Sequence, residues 1–174
     1  ARRFASAACG LAMAACLLLA FLPPLLPSGR INAVEYPGDQ YPLVRAEDLG
    51  LPSASGSGYL LWEGSSLLRH GESLTFSGDA LVRSVYYSCR WEWLARAVCA
   101  SLATEEGDED ALHFHDPIAL SPVELGFDES WLCDGGDWQS LLLREGTVVA
   151  SVEGPADFTD PAVLASVRER LGLE

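Results

Sequence analysis

The chain is 174 residues long, 49% hydrophobic and 21% charged; with its apolar N-terminus set aside, about 145 residues remain, enough for one ordinary globular core. All 25 Asp and Glu fall from Glu35 onward, while the part after residue 27 holds only nine of the 11 basic residues, so that part carries 16 net negative charges. Such a surface repels phosphate backbones, which argues against a nucleic-acid partner, and a chain whose basic residues are all Arg has no phosphate-loop Lys, Schiff-base amine or Ser–Lys nucleophile pair.

Taken in chain order, residues 4–22 come first: 19 residues without a charge, which as a helix would rise about 28 Å and match the hydrocarbon thickness of a bilayer. Pro23 and Pro24 end that segment, because proline lacks the amide donor and restricts the residue before it. Residues 1–27 therefore read as a single transmembrane segment meeting the lipid bilayer through residues 4–22. Arg2 and Arg3 precede the segment and only Arg30 follows it closely, so the positive-inside tendency places the start in the cytoplasm and the acidic domain outside. Two other readings use the same residues: cleavage after Ala33 as a secretory signal, and lipidation at Cys16. The second lacks a polar tether after the cysteine, and a retained anchor is the reading taken. The first residue is Ala rather than Met, so a fragment of a longer membrane protein is expected.

Residues 28–58 are rich in Pro, Gly and Ser and read as a stalk, with Asp48 capping a single turn. Residues 59–174 then form the extracytoplasmic domain. "YLLW" and "SLTF" read as strands, and "ALVRSVYYSCR" as a strand or the head of the next helix. From Trp91 to Ala103 the pattern is helical, with Tyr87, Trp91, Leu94, Val98 and Leu102 on one face and Glu92–Arg96 opposite. That aromatic stripe is more commonly sheet packing than a ligand platform. On one helix Cys89 and Cys99 would stand roughly 15 Å apart, so any disulfide would have to include Cys133.

After the acidic loop "EEGDED", the stretch "LHFHDP" holds the only residues resembling a site. On a strand His113 and His115 point to one side, and with Asp116 could offer ligands to zinc or copper. No third ligand is fixed by spacing, and surface histidines are the commoner use. No hydrolase motif occurs, and no cofactor is implied. "ESWLC", "WQSLLLR" and "TVVASVE" form a three-strand antiparallel meander. "DFTDPAVLASVRERLG" is a helix with Asp160 as N-cap, Pro161 at its first position and Gly172 as stop, its apolar side being Ala162, Leu164, Ala165, Val167 and Leu171. The expected fold class is α+β: one N-terminal transmembrane helix, then a small domain with a mostly antiparallel sheet and two helices.

Two stretches, "YPLVRAEDLGL" and "LGFDESWLCDGGDWQSLLLREGTVVASVEG", resemble the outer, C-terminal part of uncharacterised Gram-positive membrane proteins that carry a cytoplasmic domain at their N-terminus. The likeness covers about 40 residues. It implies a piece of a multi-part membrane protein and brings no activity or site residue with it. The functional expectation is a non-enzymatic, membrane-anchored extracytoplasmic module that binds or senses a small molecule or protein. The competing reading is a metal-binding protein centred on His113 and His115.

Overall fold

The computed structural model describes residues 29–63, 65–104 and 120–173. These build one antiparallel sheet of eight strands: β1 (Gly29–Ala33), β2 (Gly56–Glu63), β3 (Leu68–Ser77), β4 (Ala80–Cys89), β5 (Ser121–Pro122), β6 (Glu129–Asp134), β7 (Gln139–Glu145) and β8 (Val148–Gly154). Their order across the sheet is β1-β2-β3-β4-β8-β7-β6-β5. Helix α1 (Glu92–Thr104) and helix α2 (Pro161–Leu171) pack on opposite faces. The α+β expectation holds for this domain. Among the described residues no helix is long and apolar enough to cross a membrane; the expected span, residues 1–27, lies outside them.

Two hairpins set the register. Gly78 (φ +60°) sits first in the two-residue turn joining β3 to β4, and Gly146 (φ +55°) holds the same place between β7 and β8. A first central residue with positive φ suits glycine and gives the twist that two-residue hairpins require. The expected meander of β6, β7 and β8 is present. "ALVRSVYYSC" is wholly strand, so Cys89 ends β4 while Cys99 lies within α1, correcting the placement of both on one helix. Cys89, Cys99 and Cys133 are all buried and free.

The stalk reading of residues 28–58 is corrected. Residues 29–33 pair with β2 as an edge strand, and β2 itself begins at Gly56. Between them the chain crosses the sheet and buries Tyr41, Leu43, Val44, Ala46 and Leu49 in the main core, together with Phe158, Val167 and Leu171. Gly and Pro mark turns, but the apolar residues between those turns had a sheet to cover. The sheet accommodates them with small residues on β3: a Cβ on Gly71 would lie 2.8 Å from Tyr41 Cδ1, and Ser73, Thr75 and Ser77 are buried along the same strand. The Val44 amide donates to Ser84 Oγ (3.0 Å), and Ser77 Oγ donates to the Pro52 carbonyl (2.7 Å). Backbone crossing a core face needs such partners.

Asp48 lies inside the 3-10 turn Ala46–Leu49 instead of before it, accepts the Arg45 amide (2.9 Å), and forms a two-pronged ion pair with Arg170 of α2 at 2.8 Å on both arms. That fork holds Arg170 well above its ordinary pKa. Helix α2 follows the expected caps: Asp160 accepts the Ala162 amide (2.8 Å), and Gly172 (φ +67°) closes the other end. Its buried side is Val167 and Leu171 with Val163 and Leu164 beside them, while Ala162 and Ala165 face outward.

Candidate functional site

Helix α1 lies over β4, β7 and β8. It seats Ala95 and Cys99 on Cys89, Leu142 and Val149, with Leu94, Val98 and Leu102 alongside. At its start Arg144 is 3% exposed and gathers three carboxylates: Glu129 at 2.6 Å, Asp128 at 2.9 Å and Glu92 at 3.8 Å. The Gly146 amide and Arg144 together hold the Asp128 carboxyl below the usual carboxylate range. Burial pushes the Cys89 thiol up to about 11 and the Cys99 thiol up to about 12, so both stay protonated and poorly nucleophilic near neutrality.

On the same side, no described helix packs on β1, β2 or β3. There the register brings together four side chains from four strands: Arg30 opposite Trp62, Trp62 opposite His70, and His70 opposite Tyr87. The rings stack face to face, Trp62 on His70 at 4.0 Å and 8° and His70 on Tyr87 at 4.2 Å and 17°, with the Arg30 guanidinium 5.7 Å above the Trp62 ring. Cross-strand aromatic pairs of this kind contribute about 0.5–1.5 kcal/mol each beyond their buried area.

One step along β3, Glu72 Oε1 lies 3.2 Å from His70 Nε2. The contact is close but falls outside the geometry of a well-directed hydrogen bond. This contact, chiefly, holds the Glu72 carboxyl below its ordinary range against the opposing effect of burial, and Arg83 and Arg30 add to it. The next row along the strands supplies Arg83 and Glu153, 3.8 Å apart. The open half of this face thus presents an imidazole clamped between two rings, two carboxylates and two guanidiniums. Opposite charges held a few ångströms apart in a fixed frame suit recognition of a polar ligand bearing both donors and acceptors.

The residues expected to ligate metal, His113, His115 and Asp116, lie outside the described residues, as does "EEGDED". Among the described residues no group of three metal-ligating side chains occurs. His70, Glu72, Trp62 and Tyr87 were not singled out as a site in the sequence, because they are spread over 26 positions and meet only through two hairpin registers. The usable signal was the "SGDA" turn, which folds β3 onto β4 so that His70 faces Tyr87. The expected aromatic stripe divides: Leu94, Val98 and Leu102 pack on the sheet and Tyr87 belongs to the strand row, whereas Trp91 stays 41% exposed at the start of α1, stacked at 5.7 Å on Trp93, which is 63% exposed and lay outside the expected stripe.

No protein-family model matches the chain, and no curated protein matches it.

Proposed function

We propose that the chain is a membrane-anchored extracytoplasmic module that binds or senses a small molecule or peptide without catalysing a reaction, held in the cell membrane by residues 4–22. Its ligand surface is the half-open face of β1–β4. The observation that carries this reading is the Arg30–Trp62–His70–Tyr87 row with Glu72 beside it: charged and aromatic side chains in fixed register on a sheet area largely left open by the described helices. The acidic surface favours a ligand with a cationic group. The likeness of "YPLVRAEDLGL" and the C-terminal meander to outer parts of Gram-positive membrane proteins supports the location.

Two measurements test the reading. Protease added to intact cells should digest the domain, and protection until the cells are opened would reverse the topology. A panel of free amino acids and short cationic peptides, screened by thermal shift, should yield a ligand that raises the Tm of the native chain and not that of the Glu72→Gln variant. A ligand that stabilises both equally binds elsewhere.

A further inference from the structure

The strand directions put Gly29, where the chain enters the sheet opposite Glu63, at the same end as the β2–β3 connection, Arg90 and the start of α1. Between Leu22 and Gly29 there are seven Cα steps, at most about 25 Å of extended chain. A domain of this size is about 35–40 Å across, and the apparent stalk is folded into it. A bilayer holding residues 4–22 therefore lies closer to this end than one domain width.

The side chains displayed at this end suit such a neighbour. Trp91 and Trp93 are the exposed, stacked pair, and β4, which leads into them, stands three strand spacings, about 14 Å, from β1. Arg30, Arg69 and Arg90 lay their guanidiniums over the rings of Trp62, Tyr41 and Trp91. Arg45, Arg83, Arg96, Arg144 and Arg170 stand within 4 Å of carboxylates, and Arg45 and Arg170 also lie over the Tyr36 ring. Glu92, Asp128 and Glu129 at this end are drawn onto Arg96 and Arg144, and Glu63, Glu124 and Glu145, with Asp39 next to the Gln40 carbonyl that Arg69 holds, are further carboxylates there. The opposite end carries Asp79, Asp134, Asp137, Asp157 and Asp160 at or beyond the strand ends. Tryptophan favours the membrane–water boundary, and arginine near the surface is drawn to anionic headgroups.

We infer that Trp91 and Trp93, flanked by Arg90, Arg69 and Arg30, seat this end of the domain in the headgroup layer of the bilayer that residues 4–22 enter, leaving the acidic end outward. This rests on the membrane-anchored reading. The test uses the full chain in phosphatidylcholine–phosphatidylglycerol vesicles containing a lipid brominated high on its acyl chain, with tryptophan fluorescence as the readout. The native chain should be quenched, and the Trp91→Phe/Trp93→Phe variant should lose most of that quenching. If the chain resists alkaline carbonate extraction yet shows no quenching, or the double variant is quenched as strongly, the seating is wrong and the anchor stands. Release by carbonate overturns the anchor, and the seating with it. Should the double variant lose its folded circular dichroism, Trp93→Phe alone takes its place, with a partial loss expected and no loss overturning the seating.

Discussion

The two faces of β3 make opposite uses of neighbouring residues. Gly71, Ser73, Thr75 and Ser77 point into the core, and their small size is what admits the crossing segment from Tyr41 to Leu49. His70, Glu72, Leu74 and Phe76 alternate with them on the other side, where no described helix packs on the strand. Alternation on a strand separates the faces completely, so one ten-residue strand supports a core on one side and a charged aromatic row on the other. The lesson is that small residues in a strand can signal traffic of the chain across it, while the functional candidates sit on the partly open side.

That contrast can be broken most severely from the core side. Leu43 is fully buried, and Leu43→Ala should cost about 2–5 kcal/mol through lost transfer energy and a residual cavity. The check is a lower denaturant midpoint at an unchanged slope. Next comes Asp48→Ala, which strips Arg170 of both arms of its fork and the Arg45 amide of its acceptor. A loss of about 2–3 kcal/mol is expected, read by the same denaturation.

Gly71→Ala should follow at about 1–3 kcal/mol, because the new methyl would press on Tyr41 Cδ1 and the ring has little free space. The neighbouring His70→Gln should cost no more than the two ring stacks it removes, about 1–3 kcal/mol together, and acts on chemistry as well. Without the imidazole, the Glu72 carboxyl should titrate higher, back toward the ordinary range, in carbon-detected NMR. For the native chain the sign is set by carboxyls whose folded pKa lies below the unfolded value, Glu72 and Asp128. Their contribution is complete above the ordinary carboxylate range and is lost as pH falls through it. Thermal unfolding should accordingly be flat near neutrality and decline below about pH 4.

The helices were legible because their signals are local. "TDP" and "RLG" bound α2 with a capping carboxylate, a proline and a glycine stop, each acting within a turn of itself. The meander was legible for the same reason, its strands being joined by tight turns at Gly136 and Gly146. The segment 29–58 was not, since short apolar pieces such as "YPLV" and "AEDL" have no period of their own, and only a sheet built from later residues gives them a place. The candidate site shared this difficulty: nothing in "EGSSLLRHGE" marks His70 as stacked on Trp62.

By itself, then, the amino-acid order determined an acidic α+β domain behind a 19-residue uncharged segment, two helices with their ends, and the C-terminal hairpins, all properties set by contacts within a few residues. Tertiary structure alone decided that the Pro- and Gly-rich stretch is core, that Arg30, Trp62, His70 and Tyr87 form one row, and that Trp91 and Trp93 stand at the end where β1 begins. The physical reason is that strand register and face are relations between distant segments, fixed when the sheet closes.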